Sequence, residues 1–335
     1  MKIVLSGIQP TNMITIGNYL GALRNIINFQ KDNKLMIFIA DLHAITKDFN
    51  PKELQQNKKS IAALYMACGL NPYDNIIFYQ SDVIEHSHLS YLLLCHTYMG
   101  ELNRMTQFKD MSSKMAMANG TQNIPTGLFV YPTLMAADIL LYDADIVPVG
   151  KDQTQHMELT RDIAIRFNKK YKEDIFKVPN IYVAEKGAKI MDLQNPEIKM
   201  SKSNENTKGT IFLLEPIDNI RKKIMSAKTD SFDNVKYDQT NQPGVSNLII
   251  IYSCLSNKSI NDIELLYKNK KYGDFKKDLA DIVCHHIKEL QDKYYEIIKN
   301  VDFDKQLQKN AQICQKIAAK KIDKIHKILG LKVGN

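Results

Sequence analysis

The chain has 335 residues, enough to bury a substantial core, and the size prior favours about two domains. No run approaches the roughly 18 apolar residues of a membrane span, and the start lacks the basic-then-apolar pattern of a signal peptide, so a soluble, unexported protein is expected. Five cysteines (Cys68, Cys95, Cys254, Cys284 and Cys314) are scattered without CxxC spacing, which argues against a disulfide framework or a structural zinc and for a reducing cytoplasm. The net charge of +8 is uneven: from Asn206 onward 23 Lys and Arg face 16 Asp and Glu, while residues 1–205 are nearly balanced. Such a basic C-terminal part suits a polyanion such as RNA, and it suits a plain lysine-rich solvated surface equally well.

In chain order, Lys2–Ser6, Leu35–Asp41, Ile76–Ser81 and Asp145–Val149 read as strands, short apolar runs bounded by polar residues or glycine. Helical patterns separate them. Asn50-Pro51-Lys52-Glu53 is a start signal, an N-cap followed by proline at the first helical position. It opens a helix to Cys68 with Leu54, Ile61, Leu64 and Tyr65 on one side, which Gly69 stops. Strands alternating with helices imply parallel βαβ units with ligands at the strands' C-terminal ends, where Asp41, Ser81, Gly150 and the loop after Ser6 would lie. Ile181–Leu193 reads as a loop or hairpin. Beyond Asn206 helices take over: Pro216–Ala227, Gly244–Leu255, Asp274–Asn300 and Phe303–Leu329. In the last, Ile313, Ile317, Ile322, Ile325 and Leu329 suggest an apolar stripe beside a face of Lys316, Lys320, Lys324 and Lys327.

The opening stretch, MKIVLSGIQPTNMITIGNYLG, matches neither the dinucleotide GxGxxG fingerprint nor the GxxxxGK of a P-loop. It offers Gly7 at a strand end, Gln9-Pro10 in a turn and Thr15-Ile16-Gly17-Asn18 at a helix start. There, free N–H groups attract an anion and the Thr15 and Asn18 side chains can bond phosphate oxygens. Packing alone would explain these glycines equally well. Far along the chain, Lys199-Met200-Ser201-Lys202-Ser203 can place two cations and two hydroxyls around a leaving polyphosphate.

With these two elements the sequence resembles the class I aminoacyl-tRNA synthetases, which carry a HIGH-type element and a KMSKS loop. Within them it is similar to the bacterial-type tryptophanyl family, through "SGIQPTNMITIGNYLGAL", "GELNRMTQFK", "YPTLMAADILLY", "DIVPVGKDQTQHMELTRDIA", "GAKIMDL", "KMSKS" and "AKTDS" in order. The resemblance implies an α/β fold: a Rossmann-like parallel-sheet catalytic domain (1–205) and a C-terminal α-helical, anticodon-binding domain (206–335). It implies that ATP with Mg²⁺ activates L-tryptophan to an adenylate, from which the amino acid passes to its tRNA. It further implies a cytoplasmic homodimer with no DNA or membrane partner.

Carried over residue by residue, the resemblance puts ATP against Gln9, Pro10, Thr11, Gly17, Asn18 and the loop Lys199, Met200, Ser201, Lys202, Ser203. Gly150, Lys151 and Asp152 line the ribose side and Ile190 lies near adenine. Lys199 and Lys202, with Thr15 and Asn18, carry the chemistry by stabilising charge on the phosphates. Asp138, a carboxylate in an apolar run, is expected to accept the indole N–H, though a core Asp held by protein donors fits the residues alone. Tyr131, Met135, His43, Val147, Val149, Gln153, Leu5 and Gly7 complete the amino-acid pocket, with ordinary core packing an alternative for Met135 and the valines. Two positions depart from the family pattern. Leu5 replaces a frequent phenylalanine, removing an aromatic wall, and Met111 replaces a frequent phosphate-facing lysine, for which Lys109 or, preferably, Lys114 compensates one turn on.

Cys284-His285-His286 point in different directions on a helix, so no zinc is expected there, nor any protein-bound metal elsewhere. The chain contains no tryptophan, which would let it be made without consuming the amino acid it activates; compositional drift explains the same absence. Two alternatives stay open: a tyrosyl-tRNA synthetase, and a non-catalytic RNA-binding paralogue.

Overall fold

The computed structural model describes residues 1–10, 14–119, 123–183, 189–202 and 206–332. Five strands, β1 (Ile3–Ile8), β2 (Lys34–Ile39), β3 (Ile76–Tyr79), β4 (Ile146–Val149) and β5 (Asn180–Val183), form one parallel sheet in the order β3-β2-β1-β4-β5. The first four are the expected strands within one or two residues at most ends. The fifth overlaps the start of the stretch read as Ile181–Leu193 loop or hairpin. It is a four-residue run with Tyr182 exposed, too short to announce itself by periodicity.

Strand order reverses between β1 and β4, the switch point where open parallel sheets receive ligands. Six consecutive pairs join β1 to β2, from Ile3↔Lys34 to Ile8↔Ile39, whereas β1 meets β4 at Val4↔Ile146 near its start. The crevice therefore widens toward the ends of these strands, at Gly7 and Val149.

Ile16–Asn18, Tyr19–Leu23 and Arg24–Asn28 run on as one helix, α1, whose middle segment is π-helical; Ile16, Leu20, Leu23 and Ile27 are its buried face. Helix α2 (Pro51–Ala67) begins and ends as its sequence demands. The Asn50 side chain accepts from Lys52 and Glu53 N–H, and Gly69 follows at φ +109°, a left-handed conformation that glycine adopts without strain. Then come α3 (Glu85–Leu94), α4 (Thr106–Asn119), α5 (Thr126–Leu140) and α6 (Thr154–Tyr171). The helical part comprises α7 (Ile217–Met225), α8 (Pro243–Ser256), α9 (Ile260–Leu266), α10 (Tyr272–Lys299) and α11 (Val301–Ile328). Four match the expected segments closely. The unexpected α9 is announced by a capping box, Ser259 with Asp262.

The apolar stripe of α11 contains the expected Ile322 and Ile325 but departs from Ile313 and Ile317. Phe303, Leu307, Ala311, Cys314, Ala318, Ile322 and Ile325 are buried, while Ile313 and Ile317 are 46% and 40% exposed. Small residues, Ala311, Cys314 and Ala318, let the helix pack close to β3 and α3, so the contact face is not the one richest in isoleucine. Lys316, Lys320, Lys324 and Lys327 are exposed. One core layer lies between the sheet, α1, α2 and α7–α10; the other holds α3, α5, α6 and α11 against the opposite face. Among the described residues no helix is long and apolar enough to cross a membrane.

Candidate active site

At the head of α1, Thr15 and Asn18 satisfy each other. Thr15 Oγ1 accepts from Asn18 N–H (3.1 Å), and Asn18 Oδ1 accepts from Thr15 N–H and its hydroxyl (3.2 and 2.9 Å). This capping box fixes the first turn. Gly17 is buried, and a Cβ there would stand 3.4 Å from Ile190 and 3.6 Å from Met200. The TIGN turn thus packs against the hairpin of Ile190 and Met200, at a spacing where a Cβ would make only ordinary contact. Ile190 and Met200 are 1% and 2% exposed, joined by Met200 N–H to Ile190 C=O, 3.0 Å. The two signatures, nearly 200 residues apart in the chain, are packed together. Gln9 is exposed beside the crevice and Pro10 is buried; Thr11 and Ser203 lie outside the described residues.

The base of the KMSKS hairpin is built tightly. Asp192, buried, accepts from Gln194 and Asn195 N–H, and Gly209 is needed because a Cβ there would fall 1.7 Å from Asp192 Oδ1. Asn247 of α8, 2% exposed, accepts from Met191 N–H (2.8 Å) and donates to Met191 C=O (2.9 Å). Lys199 is exposed opposite Met191, and Ser201 C=O accepts from the Thr210 hydroxyl (3.3 Å). The Lys202 ammonium is pushed below the ordinary lysine range by partial burial and by the Lys47 charge near it, although the side chain as a whole reaches solvent. Lys47, four residues beyond His43, had no sequence signal to mark it.

At the end of β4, Gly150 leads into the turn Lys151–Gln153, with Lys151 and Asp152 exposed. Asp152 folds back over Gly150, where a Cβ would lie 2.6 Å from its Oδ1, and accepts from the amides of Gln107 (3.1 Å) and Gln153 (2.8 Å).

Asp138 on α5 is buried and ionised. Oδ1 accepts from Gln80 Nε2 and His86 Nδ1 (both 2.6 Å), and Oδ2 from His43 Nε2 (2.8 Å). Burial alone would raise the carboxyl, but the hydrogen bonds donated by His43 and His86 outweigh it and hold it down at about 2. An ionised carboxylate cannot donate, so His86 carries its proton on Nδ1, and Tyr142 O–H donates to His86 Nε2 (2.7 Å). Asp138 is thus the well-partnered buried Asp that the residues alone allowed, with His43 the one donor to Oδ2 among the described residues.

Tyr131 Oη lies 2.6 Å from His156 Nε2 and 3.2 Å from Gln107 Oε1; its ring is 6.2 Å from that of His43. Burial pushes His156 down to about 4, so it is neutral. Met135 and Val149 are half-buried, whereas Leu5 and Val147 are buried in the core at 0% and 4%. Gln80, His86, Tyr142, His156, Gln107 and Asn247 escaped sequence reading, since each lies on an ordinary-looking segment and gains a role through a partner far away in the chain. The Cys284-His285-His286 run divides: the thiol faces Ile217 C=O, His285 pairs with Glu289, and His286 Nε2 meets Tyr19 Oη at 2.9 Å.

A parallel sheet with a TIGN-type helix start, a KMSKS hairpin packed on it and a switch-point crevice between them defines a class I synthetase. The family model "tRNA synthetases class I (W and Y)" matches residues 1–288, and the chain belongs to that family. Within it the likeness is to the bacterial tryptophanyl branch. The chain is 63% identical over 331 residues to the tryptophan–tRNA ligase of Malacoplasma penetrans, covering 99% of this chain and 98% of that one. Among solved structures, tryptophanyl-tRNA synthetase from Mycoplasma pneumoniae superposes with a TM-score of 0.86 at 39% identity, covering 99% and 98% of the two chains. The Campylobacter jejuni enzyme complexed with ADP and tryptophan gives 0.84 at 34%, covering 98% and 99%.

Proposed function

We propose that this chain is a tryptophan–tRNA ligase. The tryptophan carboxylate attacks the α-phosphorus of ATP, the bond to the bridging oxygen breaks, and pyrophosphate leaves; Mg²⁺ brought with ATP would neutralise charge on these phosphates. A terminal ribose hydroxyl of the tRNA then attacks the adenylate carbonyl and AMP departs. No protein nucleophile is required. Lys199 and Lys202 stabilise charge on the departing phosphates, and the depressed basicity of Lys202 fits a partly buried cation near the charge of Lys47. Gln9 approaches ATP from the end of β1, Gly17 and Asn18 from α1, and Gly150, Lys151 and Asp152 hold the ribose. Ile190 and Met200 support this surface from within.

The observation that carries the amino-acid assignment is Asp138: a buried, ionised carboxylate whose Oδ2 has His43 as its protein donor. An indole N–H satisfies the remaining acceptor position there, while phenylalanine leaves it dry and unpaired, the asymmetry by which polar readout discriminates without editing. Tyr131 supplies a further wall and Gln153 adjoins the pocket. His43, Met135, Val149 and Gly7 border the ring.

The helical part, 206–335, binds the tRNA, with Lys316, Lys320, Lys324 and Lys327 of α11 offering phosphate contacts whose strength falls with salt. The enzyme works in the cytoplasm as a homodimer. Support for the dimer comes from large apolar side chains exposed before, on and after α3: Ile84, Tyr91, Tyr98 and Met99 are 63–75% exposed. Charging of tryptophan tRNA with labelled tryptophan tests the proposal. Tryptophan esterified to its 3′ end supports it; RNA bound without ester formation favours a non-catalytic paralogue.

A further inference from the structure

Gly7 stands where β1 reaches the crevice, and the space a side chain would take is already filled. A Cβ built on Gly7 would lie 2.5 and 2.8 Å from Cζ and Cε2 of Phe38. The two residues are register partners on β1 and β2, so Leu5, Gly7, Met36 and Phe38 share one face of the sheet. The ring of Phe38 is 5% exposed and 5.8 Å from that of His86, whose Nδ1 donates to Asp138. Its far edge therefore reaches the exposed end of β1, and its flank lies beside the histidine that holds the carboxylate. Leu5, one residue pair further in, is fully buried in the same core layer.

We propose that Phe38 is the aromatic wall of the indole pocket, doing from β2 what a phenylalanine at position 5 would do from β1. The proposal rests on the reading of Asp138 as the acceptor of the indole N–H. Glycine at position 7 is then a requirement of this arrangement, because any larger residue displaces the Phe38 ring. A phenylalanine at 5 and one at 38 compete for the same volume on one sheet face, so the chain accommodates a ring at either place and is overpacked by both. The stacking surface gives specificity for a flat bicyclic side chain, and Asp138 reads its edge.

The chain's lack of tryptophan makes the test direct, since indole emission excited beyond tyrosine absorption reports the ligand alone. Tryptophan binding is measured this way, and the KM for ATP by pyrophosphate exchange, for the parent, Phe38→Leu, Leu5→Phe and the double variant. Phe38→Leu should weaken tryptophan binding roughly tenfold, with the ATP KM changed by less than about twofold. Leu5→Phe alone should also weaken it through overpacking, while the double variant should regain most of the parent affinity. Unchanged tryptophan affinity in Phe38→Leu, or a double variant no better than the worse single one, overturns the proposal. Should Phe38→Leu fail to fold, Leu5→Phe alone decides: unchanged or tighter binding contradicts competition for one volume. A parent that binds no tryptophan removes the underlying reading, and this inference with it. A parent that binds it, with indole affinity lost in Asp138→Asn but indifferent to Phe38, removes this inference only.

Discussion

Asn247 holds both main-chain groups of Met191, its Oδ1 accepting from the N–H and its Nδ2 donating to the C=O. A side-chain amide that imitates a strand neighbour fixes the root of the KMSKS hairpin to α8 in the helical part. Asn247→Leu strands both buried backbone groups and should lower stability by roughly 2 to 4 kcal/mol. The exchange rate constant should fall about tenfold or more, with tryptophan binding nearly unchanged, because the lysines rather than the indole pocket lose their placement. Thermal melts and single-turnover adenylate formation check both.

Met111 lies half-buried on α4, while Lys109 and Lys114 are exposed on the same helix. If Lys114 supplies the missing phosphate contact, Lys114→Ala should slow adenylate formation by about tenfold and Lys202→Ala by far more. Normal adenylate formation in Lys114→Ala, with Lys202→Ala inactive, returns the position to plain solvent-facing lysine.

The carboxyl of Asp138 is held down to about 2, chiefly by His43 and His86 against the opposing pull of burial. It stays ionised through ordinary assay conditions, so tryptophan affinity in the parent should not fall on this account between about pH 8 and pH 5. His86→Leu removes a hydrogen-bond donor, which lets burial raise the carboxyl. The groups that then face Asp138 and its relay are His43, Gln80, Tyr142, Glu85 and Cys314. Affinity should then decline as pH drops toward about 5, where the protonated acid accepts the indole N–H poorly. A pH profile parallel to the parent's shows His86 to be a packing residue.

His156 is held neutral by burial, its value lowered from 6.5 to about 4. The unfolded chain takes up a proton in that interval and the folded one does not, so stability falls as pH drops through it, by up to about 3 kcal/mol. In His156→Asn the melting temperature should depend less on pH over this window. An undiminished slope assigns acid sensitivity to other groups.

Much of this was legible in the sequence, for identifiable reasons. Asn50-Pro51 and Gly69 bracket a helix because a cap, a ring-locked φ and a left-handed stop act locally. Asp138 is conspicuous because a carboxylate in an apolar run must find donors. The donors themselves, Gln80 and His86, were not legible, since they arrive from β3 and α3 through tertiary packing. Phe38 reads as one more core aromatic in a strand until the register places it against Gly7. The face of α11 was misjudged because hydrophobicity favoured Ile313 and Ile317, while close approach favoured alanine and cysteine.

The most direct test of the whole account is ATP–pyrophosphate exchange by the intact protein with each amino acid in turn, alongside Asp138→Asn. The account predicts exchange with tryptophan, with tyrosine and phenylalanine at least a thousandfold poorer, and loss of tryptophan preference in the variant. Exchange driven by tyrosine, or none with any amino acid, would contradict it.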